Sequence, residues 1–250
     1  MTDEEAEAAG LLRAEISAVD ADSSAPAELP AVPGGWRLQE VTVGGRAFDL
    51  WRPADPDASL DDADPTAWIE GTRDPYWVYL WPAAEKTAEA WLGDVGESLA
   101  VGGGRVLELG CGVGLVGLAA GSVGARVVFS DIQADACRAA AVNADANGIH
   151  SETLTFDWAE PPDVEPFRCV TGSDLIYETV AHGPLLVTLQ AVLAKDGVAV
   201  FGDPGRAALP AFLEAASDAG FAVRLTDGDG RELLSPPRPG FCLVRLTHAG

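Results

Sequence analysis

Hydrophobic and polar positions alternate with a period of two in the stretches 36–43 and 46–51, on either side of Gly44 and Gly45. Two such stretches about a two-glycine turn predict a β-hairpin. An acidic segment with two prolines, 55–74, follows and is typical of a loop. Pro82 then opens a predicted helix, in which Ala84, Ala88 and Trp91 recur at helical spacing.

From Arg105 onward, short apolar runs alternate with helical patterns, which indicates a parallel sheet covered by helices on both faces. The predicted strands are 105–109, 126–130, 154–156, 169–172 and 198–201, and the helices between and after them are 115–121, 134–147, 185–193 and 209–219. Two further strands, 221–225 and 241–246, are joined by a proline-rich loop. The fold class is therefore α/β, Rossmann-like, with seven strands in the main sheet.

The pattern divides the chain into three parts. Residues 1–33 are rich in Ala, Glu, Asp and Ser, and we expect a disordered or marginally helical extension. Residues 34–92 hold the hairpin, the acidic loop and a helix that packs on the main domain. Residues 93–250 form that main α/β domain, and a hydrophobic content of 48% is ample for its core.

Composition narrows the possible partners. With 39 acidic and 16 basic residues the formal net charge is −23 at pH 7, which argues against nucleic-acid binding and favours a basic partner. We find neither an apolar run long enough for a membrane span nor a basic leader, and expect a cytoplasmic monomer. The four cysteines lack any Cys-x-x-Cys spacing, so we expect small buried side chains and no metal site.

A glycine-rich turn, Gly110-Cys111-Gly112-Val113-Gly114, links the strand 105–109 to the next helix. Glycines permit positive φ and let a ligand approach the main chain, while the helix start offers free N–H groups to an anion. The sequence therefore predicts a cofactor site at this turn.

The identity of that cofactor depends on one acidic side chain. The spacing of Gly112, Gly114 and Gly117 also suits the pyrophosphate of a dinucleotide. Glu108 comes just before the turn, and a carboxylate facing the crevice repels pyrophosphate but suits a ligand with a cationic amino group. This position favours S-adenosylmethionine over NAD.

Other strand ends supply further candidates at the same edge of the sheet. Asp131 can accept hydrogen bonds from both ribose hydroxyls, Asp157 from the adenine amino group, and Trp158 can cover the ring. Asp174 and Tyr177 follow the fourth strand, and we expect them to rim the crevice where the nucleophile enters. Ile132, next to Asp131, and Ser173, next to Asp174, complete the candidate cofactor-binding set.

Assembled, these residues resemble the seven-β-strand (class I) protein-lysine methyltransferases, especially the group of the electron-transfer-flavoprotein β-subunit lysine methyltransferase. The segments that carry the resemblance are 75–82 (PYWVYLWP), 107–117 (LELGCGVGLVG), 130–132 (SDI), 172–178 (GSDLIYE) and 202–206 (GDPGR). The resemblance implies that Trp81 and Trp158 line the cofactor pocket. It also implies that Asp174 and Tyr177, the candidate catalytic residues, border a channel for a protein substrate.

The expected reaction is transfer of a methyl group from S-adenosylmethionine to a protein lysine amine. It needs an aligned, neutral nucleophile and neither a metal nor a covalent intermediate. Two enzymatic alternatives stay open, a small heteroaromatic amine or other small amine, and a protein histidine. A binding protein without turnover and a dinucleotide oxidoreductase are alternatives of other classes, against which Glu108 and the Asp174-x-x-Tyr177 pattern count.

Overall fold

The computed structural model describes residues 24–61, 75–99 and 103–250, and it consists of a two-stranded hairpin and an eight-stranded sheet with helices on both faces. In chain order the elements are β1 Trp36–Val43, β2 Arg46–Pro53, α1 Pro56–Asp61, α2 Pro82–Leu92, α3 Asp94–Leu99, β3 Arg105–Leu109, α4 Leu115–Ser122, β4 Arg126–Asp131, α5 Ala134–Ala146, β5 Ser151–Thr155, β6 Phe167–Ser173, α6 Thr179–Val192, β7 Leu193–Asp203, α7 Leu209–Asp218, β8 Phe221–Thr226, β9 Glu232–Leu233 and β10 Cys242–His248. A short 3-10 turn, Tyr76–Val78, precedes α2.

The order of strands in the main sheet is β5-β4-β3-β6-β7-β10-β8-β9. Strands β3 to β7 run parallel, and β10 pairs antiparallel with β7 on one side and β8 on the other. The α/β class and the final antiparallel strand are confirmed. The two-residue β9, which extends the sheet beyond β8, is an addition to the seven predicted strands.

The central strands are buried on both faces. Val106 and Val127 belong to the core beneath α2, α4, α5 and the hairpin, whereas their neighbours Leu107 and Val128 belong to the core beneath α6 and α7. Successive side chains of a strand point to opposite faces, so these strands need apolar residues on both faces. That requirement produced the short apolar runs by which they were predicted, and Glu108 of β3 is a buried exception.

Several predicted boundaries are wrong: β5 spans Ser151–Thr155 and not 154–156, and β7 begins at Leu193 and not at 198. Helix α1 lies within the segment predicted as a loop, where the Ala58 N–H donates to the Asp55 carboxylate (3.1 Å) and so satisfies one free amide of the helix start. Helix α6 begins at Thr179 rather than 185, although its interior Pro184 removes one backbone hydrogen bond. The rest of the predicted loop, 62–74, lies outside the described residues.

The predicted N-terminal extension is described only from residue 24. Leu29 is buried in a small cluster with Trp36 and Trp51, and the Pro30 carbonyl accepts a 2.7 Å hydrogen bond from the Trp36 indole. The stretch 24–33 is therefore anchored to the hairpin. Residues 1–23 lie outside the described residues.

The four cysteines are all free and buried, as predicted. Among the helices in the described ranges, none combines the length and apolar composition that crossing a bilayer demands.

A buried amide on α5 bonds both the hairpin and the glycine-rich turn. Asn143 of α5 accepts from the Trp51 N–H at 2.7 Å and donates to the carbonyls of Trp51 (3.1 Å) and Val113 (2.9 Å). Its neighbour Asn147 makes similar bonds to Asp49, but at the surface. Asn143 therefore holds β2 and the glycine-rich turn in one fixed relation.

We expect Asn143→Ala to lower the free energy of unfolding by roughly 3 kcal/mol, because it leaves three buried backbone groups without partners. Urea denaturation measures the loss. The matched control is Asn147→Ala, whose exposed bonds can be replaced by water, so its cost should be about 1 kcal/mol or less. Equal losses in the two variants would contradict the bridging role of Asn143.

Candidate functional site

A pocket opens at the carboxyl ends of β3, β4 and β6, between these strands and the segment that leads into α2. Its lining comprises Tyr76, Trp77, Tyr79, Leu80, Trp81, Ala84, Glu108, Gly110, Cys111, Gly112, Val113, Leu115, Val116, Asp131, Ile132, Gln133, Asp157, Trp158, Ser173, Asp174, Leu175 and Tyr177. Of the thirteen candidate site residues predicted from the sequence, the structure therefore brings all but Gly114 to one pocket.

The glycine-rich turn forms one wall. The Cys111 N–H within the turn donates to the Ser130 carbonyl at 2.9 Å, so the pairing of β3 with β4 continues into the turn. Gly110 and Gly112 have φ values of 56° and 51°. A Cβ on Gly110 would stand 2.5 Å from the Leu175 side chain, so a larger residue here would displace part of the wall.

Gly114 serves the packing of the turn instead. Its φ is 91°, and a Cβ there would stand 2.9 Å from the Cβ of Ala140 on α5. The residue caps α4 and allows the turn to lie directly on α5. Gly114 was predicted to bind the cofactor, and in the structure it lies behind the pocket wall and not in its lining.

Glu108 lies at the floor of the pocket and is only 2% exposed. Its Oε2 accepts a 2.8 Å hydrogen bond from the Gly117 N–H at the start of α4. Burial raises the pKa of Glu108 to about 8, and the nearby charge of Asp131 contributes to that rise. The hydrogen bond from Gly117 opposes it. At pH 7 the isolated protein therefore holds this group mainly in its neutral form.

Asp131 is fixed by the loop that surrounds it. Its two carboxylate oxygens accept from the N–H groups of Gly112 (3.2 Å) and Gln133 (3.0 Å). Asp157, at the end of the neighbouring strand, accepts from the Ala159 N–H at 2.9 Å. Both carboxylates line the pocket in orientations set by backbone amides, as a site with fixed geometry requires.

Asp174 is held on two sides. Its Oδ2 accepts from the Ala83 N–H in the first turn of α2 (3.0 Å), and its Oδ1 accepts from the Arg206 guanidinium (2.6 Å). The residue is 6% exposed and has a φ of 58°. Burial raises its pKa, while the charge and hydrogen bond of Arg206 lower it. Asp174 is thus both a remote cap for α2 and one half of a buried ion pair.

Aromatic side chains form the opposite rim. The Tyr76 ring stands edge-to-face against Trp81 (6.0 Å between ring centroids) and Tyr177 (6.4 Å), and Tyr177 is 40% exposed at the mouth. The Trp81 indole N–H donates to the Tyr76 carbonyl at 3.0 Å. The rim is therefore a packed set of aromatic rings, and the exposed Tyr177 extends it to the protein surface.

The charge of the lining is one-sided. Four of the described residues that line the pocket are acids, Glu108, Asp131, Asp157 and Asp174, and none is Lys, Arg or His. A site of this composition attracts cationic groups and offers nothing to neutralise a pyrophosphate. The lining fits the sulfonium and amino groups of S-adenosylmethionine better than a dinucleotide.

Sequence reasoning missed several lining residues, among them Tyr76, Trp77 and Gln133. The aromatic run 75–82 could have signalled the first two, since so many rings before a helix exceed what one small core needs. Arg206 was also missed as the partner of Asp174, because 32 residues separate the two in the chain.

Comparison with known proteins agrees with this geometry. A family model described as lysine methyltransferase matches residues 68–209. The electron transfer flavoprotein beta subunit lysine methyltransferase of Xenopus laevis is 31% identical over 145 residues, which is 57% of each chain. The histone-arginine methyltransferase METTL23 of the same species is 31% identical over 133 residues, 50% of this chain and 56% of that one. The chain thus spans less than three fifths of either relative.

Among solved structures, a TehB-like SAM-dependent methyltransferase from Corynebacterium glutamicum superposes with a TM-score of 0.52 at 18% identity, covering 78% of this chain and all of the other. At that identity the likeness concerns the fold. The family match covers more than half of the chain, and it agrees with the sheet order and the acidic pocket. The protein belongs to the lysine methyltransferase family.

Proposed function

We propose that this enzyme transfers a methyl group from S-adenosylmethionine to the ε-amine of a lysine in a protein substrate. The observation that carries the proposal is the pocket lining, which combines four acids with an aromatic rim and contains no basic side chain among its described residues. A lysine approaches as an ammonium ion, and both carboxylates and ring faces attract that charge. The family description and the name of the electron-transfer-flavoprotein relative support lysine as the acceptor.

In the proposed cofactor site, each carboxylate contacts a different part of S-adenosylmethionine. Asp131, oriented by Gly112 and Gln133, is placed to accept from the ribose hydroxyls. Glu108 takes the amino group of the methionine portion, a contact that favours its ionised form. The main chain of the glycine-rich turn, at Gly110, Cys111 and Gly112, lies against the same portion. Asp157 accepts a hydrogen bond from the adenine amino group. The rest of the cofactor is enclosed by four further residues, Trp81, Ile132, Trp158 and Ser173.

The acceptor enters on the side of Asp174 and Tyr177. Tyr177 is exposed at the mouth and packs on Tyr76, so the aliphatic part of a lysine side chain can lie along these rings. Asp174 adds negative charge to the wall, and its two carboxylate oxygens are engaged by Arg206 and by the Ala83 N–H. Its role is to orient the approaching ammonium.

S-adenosylmethionine supplies a methyl group on a positively charged sulfur. The chain's contribution is to align the amine and to shield the reacting atoms from water with the aromatic rim. The amine must be neutral when it attacks, and the proton leaves to solvent through the open mouth beside Tyr177. No residue of the wall needs to form a covalent bond.

The direct test uses the purified full chain, tritiated-methyl S-adenosylmethionine and a lysate whose own methylation has been blocked. We expect label in a protein band and methyl-lysine in its acid hydrolysate. Methyl-arginine, methyl-histidine or a labelled small molecule would each replace the lysine proposal. Absence of label from a protein that binds S-adenosylhomocysteine would contradict turnover.

Tyr177→Ala sharpens this test. Removal of the rim ring should lower label incorporation at least tenfold, about 1.4 kcal/mol of transition-state stabilisation, while the affinity for S-adenosylhomocysteine changes less than threefold. Tyr177→Phe keeps the ring, so its label incorporation should lie between those of Tyr177→Ala and the wild type. Equal losses of binding and transfer in Tyr177→Ala would place Tyr177 at the cofactor.

The raised pKa of Glu108 predicts a pH-dependent affinity for S-adenosylhomocysteine. Below about pH 8 the free protein holds Glu108 protonated, so binding of a cationic amino group must release that proton. The dissociation constant should fall as the pH rises from 6 to 8, by a factor approaching about tenfold per unit. Calorimetry in buffers of different ionisation enthalpy measures the proton directly.

In Glu108→Gln the pH dependence and the proton release should both disappear. The exposed Glu165→Gln is the matched control and should behave as the wild type. A wild-type affinity that stays constant across this pH range would show that Glu108 does not meet the amino group.

Asp131→Ala should weaken S-adenosylhomocysteine binding by roughly 2–4 kcal/mol, because it removes charge-assisted hydrogen bonds to two ribose hydroxyls. Asp131→Asn, which can still accept from the Gly112 N–H, separates that loss from distortion of the turn. Asp145→Ala, an exposed aspartate on α5, is the control. A normal dissociation constant in a normally folded Asp131→Ala protein would remove Asp131 from the ribose site.

A further inference from the structure

Arg206 stands directly behind the acceptor side of the pocket without lining it. Its side chain is 17% exposed, and one guanidinium nitrogen, Nη2, donates to the Asp174 carboxylate at 2.6 Å. The guanidinium carbon also lies 5.6 Å from the ring centroid of Trp81. Both neighbours line the pocket, so Arg206 touches two parts of the wall at once.

The backbone around Arg206 is fixed. The N–H groups of Gly205 and Arg206 both donate to one oxygen of the buried Asp203 at 2.8 Å. Gly205 has a φ of 81°, and a Cβ there would stand 2.5 Å from the Pro237 carbonyl. The guanidinium is therefore presented from a turn with little freedom, which suits a residue whose task is to position others.

Asp174 needs such a partner. Its backbone φ of 58° is unusual for a residue with a side chain, and its carboxylate is almost entirely removed from water. The charged groups that face it are Arg206, which favours the ionised form, and Asp203, which disfavours it. The Ala83 N–H adds one neutral hydrogen bond. Among the residues that the structure describes, no other cation lies beside the buried carboxylate.

We infer that Arg206 is a positioning residue for methyl transfer, which keeps Asp174 ionised and the Trp81 ring in place on the acceptor side of the pocket. The inference rests on the proposed function for its effect on transfer. The ion pair itself can be tested separately. Arg206 acts through two wall residues, so its loss should affect transfer more than cofactor affinity.

The first measurement is the melting temperature between pH 5 and pH 8 for the wild type, Arg206→Gln, Arg206→Lys, Asp174→Asn and the double variant Asp174→Asn/Arg206→Gln. At pH 8 Arg206→Gln strands a buried carboxylate, and the melting temperature should fall by roughly 5–15 °C. As the pH falls, Asp174 takes up a proton in Arg206→Gln before it does so in the wild type, which removes the stranded charge, so the gap to the wild type should narrow. Arg206→Lys retains the positive charge, so its melting temperature should fall less than that of Arg206→Gln.

Asp174→Asn identifies the titrating group. Asparagine tolerates the positive φ and cannot ionise, so in this background the effect of Arg206→Gln should be smaller and independent of pH. A gap that keeps its pH dependence would assign the titration to Asp203 and overturn the inference. So would a gap of equal size at pH 5 and pH 8 in the wild-type background.

The second measurement is methyl transfer to the acceptor found by tritium labelling. Arg206→Gln should lose at least tenfold in kcat/KM, with a deficit that widens toward low pH, while binding of S-adenosylhomocysteine changes much less. Arg168→Gln, which breaks an exposed ion pair with Asp196, is the matched control and should retain full activity. Full activity, or an equal deficit at every pH, would overturn the positioning role.

The two measurements separate the two proposals. If the wild type labels no acceptor, the proposed function fails, and the melting curves still decide whether Arg206 keeps Asp174 ionised. If labelling succeeds but the melting curves show no coupling between Arg206 and Asp174, the proposed function stands and the present inference fails.

Discussion

The site depends on one backbone hydrogen bond, from the Cys111 N–H to the Ser130 carbonyl. It is the point at which β3 stops running parallel to β4 and turns away, and it fixes the height of the glycine-rich turn relative to the neighbouring strand. The Ser130 hydroxyl donates back to the Glu108 carbonyl at 2.6 Å, which closes the strand ends together. Because of this register, the carboxylates of Glu108 and Asp131 reach the same pocket from different strands.

Most of the fold could be predicted from the sequence, because buried parallel strands and amphipathic helices leave periodic apolar patterns that need no tertiary information. The predicted bounds of β3, Arg105–Leu109, match the structure to the residue, and the predicted strand ends bring Asp131 and Asp157 to the pocket. The pairing of Asp174 with Arg206 and with the Ala83 amide could not be predicted in this way. Those contacts arise from three segments distant in the chain, and a side chain's partner across such distances leaves no local pattern.

Glu108 shows a second limit of sequence reasoning. Its place at the strand end was predictable, but its protonation was not, since the pKa depends on how completely the surrounding side chains exclude water. A carboxyl that is neutral when the pocket is free and ionised when a cation binds differs from a permanently charged one. A neutral carboxyl costs less to bury than a charged one, so the free protein can hold Glu108 at the pocket floor without a cationic partner.

The bridging amide of Asn143 has a consequence for how the pocket can move. It bonds the hairpin strand at Trp51 and the glycine-rich turn at Val113 through one buried side chain. No residue of the hairpin lines the pocket, yet the turn cannot shift without pulling on β2 or breaking this contact. The hairpin thus acts as a mechanical brace, and the stiffness with which the turn meets its ligand is set partly by an element that never touches that ligand.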